Sequence, residues 1–273
     1  MTATTVPVPA TARTQPGRSH HAVADALTIT WRNLVGMTRT PQVLVFSTIQ
    51  PIIFVLMFRY VFGGAIRIPG VTHYVDYLMP GVFAQTVVFG SVQTGIALAE
   101  DLHKGLIERF QSLPMARSAV LAGRTLADLV RNVFVVLLMV VIGFAVGWRI
   151  HTSVVDVVAG LALMLLFSHA LAWVFAIVGL NAANAEAAQA ASFPILAPLV
   201  FASTAFVSAQ SMPAPLKWFA EHQPVSIVID AVRSLTYGGA FASTGKVLAA
   251  LAWCIGIIAV AAPLAVSIYR RKV

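Results

Sequence analysis

Charge is scarce in this chain, and cysteine nearly absent. Of 273 residues only 10% are Asp, Glu, Lys or Arg, and the single cysteine, Cys254, sits inside an apolar run. One cysteine excludes an intrachain disulfide framework and a cysteine-based metal site. A charge content less than half the roughly 25% of an ordinary domain excludes a soluble globule. Acidic residues are the scarcest, 10 against 18 Lys and Arg, for a formal charge of +8 and a pI near 10.3. In a soluble protein that excess would point to nucleic acid. Here it is better explained by basic residues retained on the cytoplasmic side of a membrane, so no nucleic-acid partner is expected. The seven histidines show no metal-ligand spacing such as HExxH, and no metal site is expected.

What the chain has in abundance is apolar sequence, 59% of residues, with a mean hydropathy of +0.85. This composition predicts an all-α integral membrane protein. Stretches of about 20 mostly apolar residues, the length that crosses a bilayer as a helix, fall near 43–62, 77–99, 127–148, 155–179, 189–208 and 248–268, giving six transmembrane helices. The fifth is the least regular, since Pro194 and Pro198 both lie within it. The first apolar run starts only at 43, after a Thr/Ala/Pro-rich stretch, too far in and too long for a cleaved signal peptide. Residues 1–21 read as a disordered cytoplasmic tail, and 43–273 as one transmembrane domain.

Residues 22–42 read as an amphipathic interfacial helix. Val23, Leu27, Trp31, Leu34 and Val35 share one face, with Asp25, Thr28, Arg32 and Arg39 around it. Trp at headgroup depth and Arg beside anionic lipid favour a position on the membrane surface. Orientation follows from the basic residues. Arg13, Arg18, Arg32 and Arg39, then Lys104, Arg109, Arg117, Arg124 and Arg131, then Arg270, Arg271 and Lys272 fall on one side of the six spans. The other side has Arg67, Arg149, Lys217, Arg233 and Lys246, spread over more sequence. The positive-inside bias puts both termini in the cytoplasm of a cell with this protein in its plasma membrane.

Between spans two and three lies the densest run of charge. Leu102, Leu106, Phe110 and Leu113 line one face, while Glu100, Asp101, Lys104, Glu108 and Arg109 point elsewhere, and Pro114 follows. The pattern predicts a short amphipathic helix over 100–113, suited to resting on a membrane domain while offering charge to a soluble partner. Gly105 within it is either a simple kink or a place where another backbone approaches closely. Arg124, Asp128 and Arg131, at i, i+4 and i+7, make a charged ladder at the entry to span three. It reads either as a snorkelling anchor or as part of a gate.

The loop 209–247 carries a second signal. Pro213 and Pro224 sit where helices begin, and Val225, Ile227, Val228, Ile229, Val232 and Leu235 make the second piece strongly apolar. About a dozen residues reach only about 18 Å as a helix, so the piece is a re-entrant element rather than a span. Asp230 and Arg233, three apart, can pair and so lower the cost of half-burying them. Other signals are discounted. Gly239 to Val247 imitates a phosphate loop, but its glycine spacing is one residue too long and Val247 replaces the required Ser or Thr. His169 in span four reads as a pathway residue or as a neutral histidine bonded between helices, and Gly143/Gly147 as a close-packing pair.

Four stretches, in order, resemble one family: Phe54 to Ala65 (FVLMFRYVFGGA), Gly105 to Pro114 (GLIERFQSLP), Gly123-Arg124 with Asp128 and Arg131, and Gln223-Pro-Val-Ser226 with Ala231-Val-Arg233 and Gly238-Gly239. Over most of residues 22–273 the chain is similar to the ABC-2 permeases of the daunorubicin-resistance type. The resemblance implies a permease that dimerises with a second copy or a related permease and docks on a separate ATPase, present twice, which holds ATP and Mg. It places the coupling helix at 100–113, with Glu100, Asp101, Lys104, Gly105, Glu108, Arg109 and Phe110. It also implies paired short helices dipping in from the outer side, with Pro224, Ile229, Asp230 and Arg233 at the gate. One departure is Gln223, where relatives often have Asn. The resulting expectation is a non-enzymatic subunit without its own cofactor, exporting amphipathic drugs or lipids. A lipid-linked polysaccharide exporter of the same family and an ion-coupled secondary transporter are the alternatives. The latter needs midplane carboxylates, whereas Asp76, Asp128, Asp156 and Asp230 lie near expected span ends.

Overall fold

Capping and breaking residues divide the chain into helices, and the computed structural model describes residues 18–39, 41–66, 68, 70–105 and 117–272. Among these residues there are nine α-helices and no strand: α1 (Arg18–Thr38), α2 (Pro41–Leu56), α3 (Tyr74–His103), α4 (Arg117–Ala145), α5 (Val154–Asn181), α6 (Ala185–Phe201), α7 (Ala214–His222), α8 (Pro224–Thr236) and α9 (Thr244–Lys272). Most of the expected tail, and Leu106, Glu108, Arg109, Phe110 and Leu113 of the expected coupling helix, lie outside the described residues. Local chemistry sets the starts. The Ser153 hydroxyl accepts from the Asp156 amide at 3.2 Å and opens α5, the Asn184 carboxamide oxygen accepts from the Ala187 amide at 2.8 Å and opens α6, and Pro224 takes the first position of α8.

Four helices, α3, α4, α5 and α9, are long and apolar enough to cross a membrane. The other two expected spans are built differently. The first consists of α2, only 16 residues, continued by a π-helical turn over Met57–Phe62. The fifth is α6, 17 residues, which stops at Phe201 instead of running to 208. Residues 202–208 leave the helix, and their backbone groups find partners on α3 and α8, as described below.

α3 is the central element, packing most extensively on α5 and also on α6, α4, α2 and α8. Its crossing with α5 brings backbone onto backbone: a Cβ on Gly179 would overlap the Gly95 carbonyl, and one on Gly95 would overlap that of Phe175. Small residues allow this approach, and dispersion and packing then hold the pair where no hydrophobic drive between helices exists. The expected close-packing pair is not a seam. Gly147 has φ +99° and lies in the turn after α4 ends at Ala145, while Gly143 faces Met79 and Trp148.

α1 packs against α4 through Ala26, Ile29 and Thr30, whose hydroxyl reaches the Gly123 carbonyl at 3.1 Å. The apolar residues Val23, Leu27 and Trp31 stay exposed, Trp31 at 70%. Ala26, Ile29 and Thr30 on the neighbouring face make the protein contact and leave this stripe free.

Candidate functional site

The end of α6 poses a problem that α8 answers. A helix that stops within an apolar bundle leaves carbonyls without partners, each costly unless protein groups satisfy it. Gln223, just before α8, donates its carboxamide N–H to the carbonyls of Leu199 at 3.0 Å and Ala202 at 3.1 Å. The Ser226 hydroxyl accepts from the Thr204 amide at 3.1 Å. Arg233, 1% exposed, completes the arrangement: Nη2 donates to the carbonyls of Thr204 at 2.6 Å and Ala205 at 3.1 Å, and Nε donates to that of Tyr77 at 3.1 Å. Its guanidinium lies 3.5 Å from the centroid of the Tyr77 ring, and Tyr74 and Tyr77 donate to the carbonyls of Phe206 and Thr204 at 2.9 and 3.1 Å.

The charge of Arg233 is balanced by Asp230, whose Oδ1 accepts from Nη1 at 3.1 Å. Lys246 at the start of α9 donates to the other carboxylate oxygen at 2.8 Å. The expected Asp230–Arg233 pair is therefore present, but it is one corner of a clamp joining α3, α8, α9 and the broken end of α6. The Gln-Pro-Val-Ser motif caps that end. Gln223 thus supplies one amide group to two carbonyls. Ile229 is fully buried and packs in the main core, in company with Val228 and Val232. Nearby, Asp76 accepts from the Arg149 amide at 3.0 Å, and Thr152 donates to the Leu235 carbonyl at 2.6 Å, tying the α4–α5 turn to α8.

A second buried polar cluster lies on the seam between α3, α4 and α5. Asp128 and Arg131, 1% and 4% exposed, face inward, with Arg131 Nη1 3.2 Å from Asp128 Oδ1. Thr94 donates to Asp128 Oδ2 at 2.6 Å, and Arg131 Nη2 donates to the Gly90 carbonyl at 2.7 Å, so the pair straps one turn of α3. One helical turn on, Asn132 donates to the Ser168 hydroxyl at 2.6 Å, and Ser91 donates to the Ser168 carbonyl at 3.0 Å. These charges are held by partners inside the bundle, and the cationic neighbours of Asp128 offset the desolvation of its carboxylate.

The ladder reaches the end of α3 through Arg124, whose Nη1 donates to Asp101 Oδ2 at 3.3 Å and whose Nε is 3.8 Å from Asp128 Oδ2. Glu100 to His103 form the last turn of α3 rather than the start of a separate helix. Gly105, with φ +65°, turns the chain out of α3, so it is a terminator in the left-handed region and not a mid-helix kink. Lys104 hydrogen-bonds Glu100 at 2.5 Å, and that bond and the neighbouring charge raise its pKa. His169 accepts from Trp173 on its own helix at 3.2 Å, an intrahelical bond that neither expected role described.

Residue types made Arg124, Asp128, Arg131, Asp230 and Arg233 visible in the sequence. Tyr77, Thr204 and Ala205 were not, since they receive the Arg233 donors through main-chain carbonyls. Thr94 and Ser91 were findable: they lie three apart on α3, opposite a polar stripe at 128, 131 and 132 on α4.

Long apolar helices packed around two clusters of paired charge define a multi-pass α-helical membrane protein. Residues 25–237 match the family described as ABC-2 type transporter, and the chain belongs to that family. It is 36% identical over 252 residues, 92% of this chain and 88% of the relative, to the daunorubicin resistance ABC transporter permease protein DrrB1 of Streptomyces coeruleorubidus. It is 29% identical over 262 residues, 94% of this chain and 93% of the relative, to the probable doxorubicin resistance ABC transporter permease protein DrrC of Mycobacterium tuberculosis. A putative transport permease, ycf38, of Cyanophora paradoxa is 23% identical over 78% of this chain and 74% of the relative.

Proposed function

We propose that this chain is the membrane-spanning permease subunit of an ATP-binding cassette exporter that moves amphipathic drugs outward, energised by a separate ATPase. The observation that carries this reading is similarity along almost the whole chain to permeases named for daunorubicin and doxorubicin resistance. Two permeases, identical or related, form the path, and two ATPase subunits bearing ATP and Mg dock beneath them. The permease itself catalyses no reaction. Six crossings result when α2 with its π-helical turn, and α6 with residues 202–208, each complete one. Both termini lie in the cytoplasm, α1 lies on the inner membrane surface with Trp31 at headgroup depth, and α7 and α8 re-enter from outside.

The α3–α4 connection is the docking surface. Glu100, Asp101 and Lys104 at the end of α3, with Glu108, Arg109 and Phe110 beyond it, provide alternating charge for polar contacts with the ATPase. An ion-coupled mechanism is less well supported, because Asp128 and Asp230 are each occupied by two cationic partners. Reversing both charges in Glu108→Lys/Arg109→Glu is expected to lower drug-stimulated ATP hydrolysis about fivefold or more, the range of site-to-site coupling, with membrane insertion unchanged. Wild-type stimulation in a well-inserted variant would place docking elsewhere.

A further inference from the structure

The chain of charges Asp101, Arg124, Asp128 and Arg131 alternates in sign and sums to zero, yet its links are unequal. Arg124 makes a hydrogen bond only toward Asp101, which is 23% exposed on its side chain, at the very end of α3. Toward Asp128 its Nε stops at 3.8 Å, and this buried N–H has no hydrogen-bond partner among the described residues. Asp128 Oδ1 likewise pairs with Arg131 as an ion without a hydrogen bond of good geometry. An unspent donor thus sits beside a carboxylate, about 0.6 Å beyond the reach of a normal hydrogen bond. An unpaired buried donor is costly, and a short shift of Arg124 toward Asp128 would satisfy it at the expense of the bond to Asp101.

We propose that Arg124 is a positioning residue for coupling, passing its hydrogen bond from Asp101 to Asp128 when the α3–α4 connection moves. The inference rests on the exporter reading above, with the ATPase pulling on that connection. Asp101 lies one turn before Gly105, where α3 ends, so displacement of the connection acts on it first. Glu100, Lys104 and Arg32 of α1 bear on it from the neighbouring surfaces. Once freed, Arg124 competes with Thr94 and Arg131 for the Asp128 carboxylate. That competition loosens the strap from Asp128 and Arg131 onto Gly90 and Thr94, and α3 and α4 shift against each other.

Spin labels at the exposed positions Gln93 and Val130, in a Cys254→Ala background, report the α3–α4 distance in the assembled permease and ATPase. Between nucleotide-free and ATP-bound states the distance is expected to change by about 2 Å, the scale of interface helix shifts. Arg124→Gln should abolish the change while the ATPase still co-purifies and hydrolyses ATP, and Arg124→Lys, which keeps one charged donor, should restore part of it. A change that survives in Arg124→Gln makes Arg124 a static pin and overturns the proposal, as does loss of membrane insertion in that variant, which makes it a folding contact. No change in the wild-type complex, with the ATPase bound, overturns the switch and leaves the partner reading standing. Absence of any bound ATPase overturns both.

Discussion

Arg233→Leu should leave little folded permease. The substitution removes four hydrogen bonds at one buried side chain, takes from Asp230 one of its two cations, and withdraws a donor from the carbonyls of Tyr77, Thr204 and Ala205. Breaking a buried ion pair from one side costs about 3–5 kcal/mol, a large share of the 5–15 kcal/mol that holds a typical folded domain. Thermal unfolding in detergent, followed by size exclusion, measures the loss. Arg233→Lys keeps the charge but cannot direct three donors at separate carbonyls, so it is expected to fall between the two. Arg233→Leu with Asp230→Asn should regain only part of the loss, because Lys246 already offsets Asp230 and the carbonyls still lack the donors Arg233 supplied. A melting temperature for Arg233→Leu within a few degrees of wild type would contradict the clamp.

The second large effect is expected at the crossing of α3 and α5. Gly179→Leu forces a side chain into the Gly95 carbonyl, and neither backbone can yield without separating the two helices. Overpacking typically costs about 1–3 kcal/mol, occasionally more, and here the obstructing atoms are backbone on both sides. Little monodisperse protein is expected, and Gly179→Ala should already lower the melting temperature. Gly256 on α9 is the control. Nothing lies within 4 Å of a Cβ there, so Gly256→Ala is expected to be neutral or stabilising by up to about 1 kcal/mol. Equal tolerance at 179 and 256 would show that the close approach does not govern the fold.

These sites differ in how far the sequence revealed them. Membrane class, all-α architecture and four of the long helices follow from composition and run length, because a bilayer imposes a minimum apolar length on any helix that crosses it. The Asp230–Arg233 pair was visible because two charges three apart in an apolar segment need each other. The stop of α6 at Phe201 was not visible. Pro194 and Pro198 suggested irregularity, but the break falls after them and exists because Gln223, Ser226 and Arg233, all 22 or more residues away from Phe201 in sequence, supply what the missing helical turn would have supplied. The inward burial of Asp128 was hidden for a related reason: Thr94 and the Gly90 carbonyl that receive the strap belong to another helix. Gly105 lay in a pattern that ran helically from Leu102 to Leu113, and periodicity alone does not reveal a backbone in the left-handed region.

Under the proposed function, a separate ATPase drives outward movement of drug through this permease. Inside-out vesicles containing this permease, with and without its ATPase, measure that directly, with daunorubicin as the probe and ATP added outside. Accumulation of drug in the vesicles is expected only with both subunits and ATP, and not with an imposed proton gradient alone. Accumulation driven by the gradient without the ATPase would contradict the account and identify an ion-coupled transporter.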